Sequence, residues 1–338
     1  LDLGEVAVAT FSVGLFAVHP VVVEPVTWVA GREELLMTLG ALGCFHFHLT
    51  ARHLSRARGG SGRAAACFVG AAICCAFGCL SNAVGAVIPL LVTAWDLVTL
   101  PEPKLGRILR GTLALWVIGA ATVAVKIVLP TGPRADIPWA ILARQPLVVL
   151  AGYWLNLKSL FWPTGLSLSY EFIPPDDLPL GHVTLGALAA AATCGLLWSV
   201  WRRPAVFFGL AWFCLALAPA SQVMPHHLQR GDRFLYLPLI GLVAAAATAL
   251  VRARPLVGGR PAVLASVAAG LGLLLLLTNL SVTQVRHWRD EVTLWEHCAF
   301  VEPNNPRAHG YLAGAYERAG QAGRAEASYR KAIRLSPN

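Results

Sequence analysis

Residues 262–283, AVLASVAAGLGLLLLLTNLSVT, form a long apolar segment without a charged side chain. A helix needs about 20 apolar residues to cross the hydrocarbon core of a bilayer, so this segment is long enough to cross. The residues that follow it, VRHWRDEVTLWEH at 285–297, are rich in charge. The sequence therefore predicts a membrane span joined directly to a water-exposed tail.

The composition of the whole chain agrees with this prediction. Of 338 residues, 56% are hydrophobic and 13% are charged, and the mean hydropathy is +0.61. Soluble domains average about 25% charged residues. The net charge of +9 comes mainly from arginine and lysine in short loops between apolar segments, which is the pattern of membrane topology. We therefore predict no nucleic-acid partner.

Nine apolar segments are long enough to cross a bilayer. They are 1–18, 34–51, 64–82, 84–100, 111–130, 183–201, 205–221, 234–251 and 262–283. A tenth apolar stretch, 139–161, is interrupted by four polar or charged residues, and we therefore predict a helix that lies in the membrane interface. Those four residues are Arg144, Gln145, Asn156 and Lys158.

Nine crossings place four basic loops on one side of the membrane, which the excess of positive charge marks as cytoplasmic. Their charges are Arg52, Arg56, Arg58, Arg63, Lys104, Arg107, Arg110, Arg202, Arg203, Arg252, Arg254 and Arg260. The loops 19–33, 131–182 and 222–233 and the tail then face the lumen or periplasm. Whether these segments face a lumen or a periplasm, we predict an integral membrane protein.

The tail resembles a helical-hairpin repeat of about 34 residues, the tetratricopeptide repeat (TPR). We predict a transmembrane domain over 1–283 and the start of a TPR array over 284–338, with a half repeat at 289–303 and a full repeat at 305–338. Gly320 stands at the turn between the helices. The predicted packing residues are Trp295, Leu312, Tyr316 and Tyr329. One and a half repeats bury little apolar surface, so we expect the chain to continue past Asn338.

Two polar motifs lie in the loops predicted to face the lumen or periplasm. The first, HPVVVEPVTWVAGREELL at 19–36, contains His19, Glu24, Arg32, Glu33 and Glu34. Charges at the membrane edge need partners or a polar cavity. Arg32 and the glutamates either anchor the following span or face a lipid-borne phosphate and its sugar.

The second motif, PHHLQRGDRFLYLP at 225–238, contains Arg230, Asp232, Arg233 and Tyr236. Two arginines can bind a phosphate through paired hydrogen bonds. The adjacent His226 and His227 lack the spacing of zinc ligands. We therefore predict no metal site and no cofactor.

Histidine and cysteine residues elsewhere are interpreted as structural. His46 and His48 lie two positions apart in a predicted span and so point to different helix faces, where they serve as polar packing residues. Seven of the eight cysteines lie in apolar stretches, and no disulfide framework is predicted.

Four motifs together resemble the transmembrane and tetratricopeptide repeat-containing (TMTC) family and its bacterial relatives, which are C-type glycosyltransferases. The motifs are HPVVVEPVTWVAGREELL, LKSLFWPTGLSLSYEF at 157–172, GDRFLYLPLIGL at 231–242, and the tail with RHWRDEVTLWEH. The resemblance implies an all-α bundle that transfers a sugar, mannose in the animal members, from a polyprenyl-phosphate donor to a hydroxyl of an acceptor polypeptide.

The resemblance also implies roles for single residues. Arg233 is the first candidate for the donor phosphate and Arg32 the second. Glu24 and Glu34 become acids that position the acceptor, and His19 becomes a polar contact. The remaining candidates at the donor site are Asp232 and Tyr236.

The sequence departs from the family pattern in two places. The principal acidic loop of the family would lie upstream of Leu1, so we expect the general base there. Where relatives carry a Ser-Lys-Glu run, this chain has Ser81, Asn82 and Ala83.

Two functions follow as hypotheses. One is a glycosyltransferase whose TPR segment presents acceptor polypeptides, in the endoplasmic reticulum membrane of a eukaryote or the inner membrane of a bacterium. The other is a membrane-anchored TPR scaffold without catalysis. It would contact membrane lipid and display the TPR segment to partner proteins. A transporter or ligase of lipid-linked sugars with the same architecture is a third alternative.

Overall fold

The computed structural model describes residues 3–56, 61–100, 105–129, 139–171, 173–221, 230–253 and 259–336, and no strand occurs in these ranges. The α-helices are α1 Leu3–Ala17, α2 Val23–Thr27, α3 Arg32–Arg56, α4 Ser61–Ser81, α5 Ile88–Thr99, α6 Leu105–Val128, α7 Trp139–Phe161, α8 Leu180–Val200, α9 Pro204–Leu217, α10 Tyr236–Ala253, α11 Gly259–His287, α12 Glu291–Val301, α13 Pro306–Arg318 and α14 Ala322–Leu335. The prediction of an all-α chain is confirmed over these residues.

Several helices are long and apolar enough to cross a membrane. Five contain such a segment: Gly62–Ser81, Ile108–Val125, Leu180–Val200, Asp232–Ala253 and Pro261–His287. A sixth candidate is the pair Gly4–Ala17 and Pro20–Thr27, which is bent by 56° at the break between them.

Each of the nine predicted spans coincides with a helix, but not every such helix meets the length and hydropathy required of a span. The apolar helices at Ala83–Thr99 and Pro204–Ala220 are shorter, and α3 contains His46 and His48, which lower its hydropathy. Helix α7 is not among the helices that are long and apolar enough to cross a membrane. It packs along α8. The number of crossings therefore stays a prediction.

Close helix packing depends on glycines that face each other. A Cβ added at Gly40 of α3 would lie 2.7 Å from the Cα of Gly78 in α4. A Cβ at Gly209 of α9 would lie 2.6 Å from the carbonyl oxygen of Gly241 in α10. Backbones that approach this closely are typical of helix pairs in membranes, where small residues let helices meet.

One buried apolar cluster lies between α3, α4, α5, α6, α9 and α10. Its fully buried members include Met37, Ile88, Leu91 and Val92. By contrast, only 6% of the apolar segment of α8, and 6% of that of α11, is buried. Apolar surface on that scale is unfavourable in water, so these two helices fit an environment of lipid.

The tail consists of α12, α13 and α14. Helix α13 packs against α14 and α12 packs against α13, and Gly320 takes a left-handed φ of 72° at the turn between α13 and α14, as predicted for the turn glycine. The helical hairpin is thus present, and its assignment as a TPR stays a prediction. The predicted domain boundary after 283 falls inside α11, which ends at His287.

The segment 162–179, which connects α7 to α8, is held against the tail. The side-chain amide of Asn305 donates to the carbonyl oxygen of Ser169 at 2.9 Å, and His297 Nε2 bonds to the carbonyl oxygen of Leu166 at 2.9 Å. Asn305 also accepts bonds from the backbone amides of Arg307 and Ala308 as the N-cap of α13. One residue thus begins α13 and joins it to the loop.

We expect Asn305→Ala to destabilise the tail by about 2 kcal/mol. It removes an N-cap, worth about 1 kcal/mol, and the side-chain hydrogen bond to the buried carbonyl of Ser169, worth about 1 kcal/mol. That carbonyl then keeps only the 3.2 Å bond from the Ser167 hydroxyl. The measurement is protease sensitivity of the tail on heating, with the exposed neighbour Asn304→Ala as control. Equal sensitivity of the two variants would contradict this role of Asn305.

Candidate functional site

Short turns bring the predicted polar residues together at one end of the bundle. 3₁₀ turns at Pro20–Val22 and Asp232–Leu235 contact each other, and α2 contacts the second of them. Proline after His19 favours such a turn, since its φ is already fixed. Because the backbone leaves the regular helix here, side chains from distant segments meet.

Glu24 and Arg233 form a buried ion pair at this end. Glu24 is 4% exposed and Arg233 is 7% exposed. The Arg233 guanidinium pairs with the Glu24 carboxylate, and the Arg233 backbone amide donates to the same carboxylate at 3.1 Å. The guanidinium also lies 5.2 Å from the ring centre of Trp28. Arg233 is therefore already neutralised by an acid from the other motif.

Asp232 points away from this pair, towards the 162–179 segment. Its carboxylate accepts a 2.7 Å hydrogen bond from the Tyr170 hydroxyl, and both residues are buried. Burial, reinforced by the Asp232 charge, raises the pKa of Tyr170 well above its ordinary value. Tyr170 therefore keeps its proton and serves as a donor to Asp232.

Glu34 is the third buried acid of this region. It is 4% exposed and accepts a 3.1 Å hydrogen bond from the side-chain amide of Asn82. Asn82 also accepts from the Val84 amide at 2.9 Å. Asn82 thus contacts a predicted site acid, through a neutral hydrogen bond.

We call Glu24, Glu34, Tyr170, Asp232 and Arg233 the polar cluster. Four of its members, all except Tyr170, are site residues predicted from the sequence. Tyr170 was missed as an individual residue, although it lies inside the LKSLFWPTGLSLSYEF motif. A buried tyrosine needs a hydrogen-bond partner, and the motif gave the only signal that it belongs here.

His19 contacts the backbone beside the cluster. Its Nδ1 accepts from the Val21 amide at 3.3 Å, and its Nε2 lies 3.0 Å from the carbonyl oxygen of Leu160. Since a carbonyl can only accept, Nε2 carries the proton and the ring is in one defined tautomer. His19 thus ties the 20–22 turn to the end of α7.

Arg32 and Tyr236 are not joined to the cluster. Arg32 is exposed, and among the described residues no hydrogen bond or ion pair connects it to the cluster acids. Tyr236 packs edge-on against Phe16 at 5.2 Å between ring centres and contributes to an apolar cluster. The structure thus favours Arg233 over Arg32 as a member of the site.

The predicted packing residues of the tail divide in the same way. Trp295, Leu312 and Tyr316 are buried in one apolar cluster with Leu168 of the connecting segment at its edge. Tyr329 does not pack there: it is 41% exposed and donates to Glu317 at 3.0 Å. Helix α14 presents this residue to the surface.

A second buried polar group lies in the bundle and was not predicted. His48 Nε2 contacts Asp96 at 3.0 Å, and Arg52 pairs with the same carboxylate. His48 is buried and His46 is exposed, which confirms that the two histidines lie on different faces. The charged partner of His48 comes from α5, 48 residues away, so local spacing could not indicate it.

The structure provides no metal site among the residues that it describes, because no group of three or more potential ligands occurs there. His226 and His227 lie outside those residues. Comparison with protein-family models, curated proteins and solved structures found no match for this chain. The function is therefore argued from the site itself.

Proposed function

We propose that this protein is a membrane glycosyltransferase that moves a sugar, mannose by resemblance, from a polyprenyl-phosphate donor to serine or threonine hydroxyls of acceptor proteins. The observation that carries the proposal is the polar cluster. Residues from three of the four motifs that resemble the TMTC family meet there in direct hydrogen bonds, between partners 62 and 209 positions apart in the sequence. Buried charges within a membrane protein are costly and mark functional sites.

The reaction that fits this site inverts the sugar. A carboxylate takes the proton of the acceptor hydroxyl, whose oxygen forms a bond to the anomeric carbon from the face opposite the lipid. The bond from that carbon to the phosphate oxygen breaks, and its electron pair leaves with the polyprenyl phosphate. The leaving phosphate gains negative charge, so cations near it lower the barrier.

The cluster acids are positioning residues in this scheme. Glu24 is paired with Arg233 and Asp232 holds Tyr170, so neither is assigned as the base. Glu34, bound to Asn82, is the remaining buried acid that can orient an acceptor hydroxyl.

A groove beside the cluster fits the acceptor polypeptide. It has a volume of about 470 Å³ and lies between Trp28 and the tail. Its other lining residues are Leu168, Trp288, Asp290, Glu291, Leu294, Trp295, Tyr311 and Arg318. Tyr311 is exposed and Trp28 and Trp288 are half-buried, and Arg318 pairs with Glu291. Accessible aromatic rings and paired charges suit an extended peptide, as TPR helices often bind one. Trp28 lies against Arg233, so a peptide in the groove would approach the cluster.

We also propose where the protein acts. The tail and the polar cluster face the lumen of the endoplasmic reticulum in a eukaryote, or the periplasm beside the inner membrane in a bacterium. This side follows from the basic loops. Donor and acceptor would then meet outside the cytoplasm.

The test is sugar transfer by the complete protein in lipid nanodiscs. We expect label to move from radioactive polyprenyl-phosphate mannose to a peptide rich in serine and threonine, with the product anomer opposite to that of the donor. The matched control is the same peptide with alanine at every serine and threonine. Folded protein that transfers nothing from mannose, glucose or N-acetylglucosamine donors would overturn the proposal.

The second candidate is a non-catalytic scaffold that displays the tail to partner proteins. One observation favours it: Glu24 and Arg233 satisfy each other in a buried pair, as in a structural contact. The same nanodisc assay separates the two functions. A protein that binds peptides in the groove without transferring sugar is the scaffold.

A further inference from the structure

A second cavity, of about 210 Å³, lies beside the polar cluster. Its walls are α7, the start of α8, the connecting segment 162–179 and Arg230. The lining residues are Val148, Ala151, Gly152, Leu155, Lys158, Tyr170, Glu171, Ile173, Leu178, His182, Arg230 and Glu302. Tyr170 belongs to both the cavity and the polar cluster, so the two are neighbours.

One wall of the cavity is a single face of α7. Val148, Ala151, Gly152 and Leu155 are spaced by three or four residues and therefore share a face. Lys158 continues the same face one turn later. An apolar strip that leads to one cation is the shape required by a lipid chain with an anionic headgroup.

Gly152 leaves this strip open. The residue is buried, yet a Cβ added to it would meet no atom within 4 Å among the described residues. A buried position with free space above it lines a void. The void at Gly152 is therefore available to a ligand.

Two cations stand at the polar end of the cavity. The Arg230 guanidinium lies 3.8 Å from the ring centre of Tyr170 and donates to Ser159, which fixes its plane. Lys158 is exposed, and in the part of the chain that the structure describes neither cation is in an ion pair with Glu171 or Glu302. The site thus presents positive charge that its own carboxylates do not neutralise by contact.

Unused hydrogen-bonding capacity lies in the same place. The Nε of Arg230 and the Nδ1 of His182 are buried and have no partner in the described ranges. An unpaired buried polar atom costs about 1–3 kcal/mol. A bound group with several acceptor oxygens, such as a phosphate, would relieve that cost.

We propose that this cavity holds the headgroup of the lipid-linked donor, with its phosphate between Lys158 and Arg230 and its polyprenyl chain along the apolar face of α7. The proposal rests on the proposed function and adds the substrate's position. Glu171 and Glu302 then face the sugar, whose hydroxyls can donate to carboxylates. Burial raises the pKa of Glu302.

The size of the cavity supports a headgroup with the start of the chain. Ligand pockets usually measure about 300–1,000 Å³, so 210 Å³ suits one sugar phosphate and the first part of the chain, and not a whole lipid. The chain cannot leave between α7 and α8, because a Cβ at Gly186 of α8 would lie 2.0 Å from the carbonyl oxygen of Leu150 in α7. It therefore stays on the apolar face of α7 that lines the cavity.

The experiment measures binding of polyprenyl monophosphate to the full chain in detergent by native mass spectrometry. Charge-assisted hydrogen bonds to phosphate are worth about 10-fold each in affinity. We expect Lys158→Met and Arg230→Gln each to weaken binding about 10-fold, and the double variant about 100-fold. Lys331→Met with Arg334→Gln, which removes the same charge from α14, is the matched control and should bind as the wild type.

A third variant tests the cavity without changing its charge. Gly152→Leu keeps both cations but fills the free space in the cavity. We therefore expect it to abolish binding of the polyprenyl monophosphate. Gly195→Leu, in α8, is its control, because a Cβ there likewise meets nothing within 4 Å. Lys158→Arg keeps the charge and should retain binding, which distinguishes loss of contact from loss of folding.

Three results would overturn the proposal. Binding that survives in the double variant and in Gly152→Leu would place the phosphate elsewhere. Equal affinity for free mannose 1-phosphate or inorganic phosphate would remove the lipid assignment. Equal affinity for phosphatidylglycerol would show a general anionic-lipid site.

The transfer assay separates this proposal from the proposed function. Binding at Lys158 and Arg230 without any sugar transfer would retain the site and remove the enzyme. Transfer that is unchanged in the double variant would retain the enzyme and remove the site.

Discussion

Arg233→Met alone should destabilise the protein by about 3–5 kcal/mol, the largest effect that we expect from a single charge. The substitution leaves the Glu24 carboxylate buried without its counter-charge, and breaking a buried ion pair from one side typically costs this much. The backbone amide of Arg233 would still donate to Glu24, but one amide does not replace a guanidinium. The measurement is thermal unfolding of the full chain in detergent.

The double variant Glu24→Gln with Arg233→Met should recover most of that loss. The two neutral side chains leave no buried charge without a counter-charge. The side-chain oxygen of the new glutamine can still accept from the backbone amide of residue 233. Replacing both partners of a buried pair is often nearly neutral. If the double variant is as unstable as Arg233→Met, the two residues are not coupled in stability. Glu24 and Arg233 then do not form a buried ion pair.

Arg32→Met is the matched control for this cycle. Arg32 is also an arginine of the predicted phosphate site, but it is exposed. Exposed substitutions usually change stability by less than about 0.5 kcal/mol. A loss at Arg32 as large as that at Arg233 would contradict the assignment of Arg233 as the buried partner.

Gly40→Leu should separate α3 from α4 and destabilise the bundle by about 3 kcal/mol or more. A Cβ at Gly40 would lie 2.7 Å from the Gly78 backbone nitrogen and 2.8 Å from the Cys74 carbonyl oxygen. Backbone atoms cannot rotate away as a side chain can, so the helices must move apart. Thermal unfolding and size-exclusion chromatography of the purified protein measure the loss.

The same substitution should reach the polar cluster. Glu34 on α3 bonds to Asn82 just beyond α4, so separating the two helices breaks this contact. Gly62→Leu is the control, because a Cβ at that exposed position of α4 meets no atom within 4 Å. Stability of Gly40→Leu equal to that of Gly62→Leu would show that α3 and α4 are not held by this close approach.

Much of the fold follows from local pattern. Apolar segments of about 20 residues form helices in a membrane, because a backbone in lipid must satisfy its hydrogen bonds internally. This holds whatever the rest of the sequence is. The nine segments and the tail hairpin were therefore predictable, as was the turn at Gly320. Helix α3 is not among the candidate spans, and the apolar helices at α5 and α9 are shorter than a span usually requires. For these three helices, the prediction that they cross the membrane stays a prediction.

The sequence indicates which residues belong to the candidate site, and only the tertiary structure shows which of them contact each other. That Glu24, Glu34, Asp232 and Arg233 belong to polar motifs at helix ends was visible in the sequence. That Glu24 pairs with Arg233 was not, because residues 209 positions apart carry no signal of which acid meets which base. Pairing depends on how α2 packs against the 3₁₀ turn Asp232–Leu235, and packing is a property of the assembled bundle.

The sequence by itself determined an all-α chain of apolar helices, the helical tail and the polar motifs, because each depends on neighbours within one or two turns. Tertiary structure alone decided that Tyr170 binds Asp232, that Asp96 meets His48, and that Arg230 stands beside a cavity with Lys158. It also left Arg32 and Tyr329 at the surface. These outcomes depend on distances between segments far apart in the chain, which only packing sets.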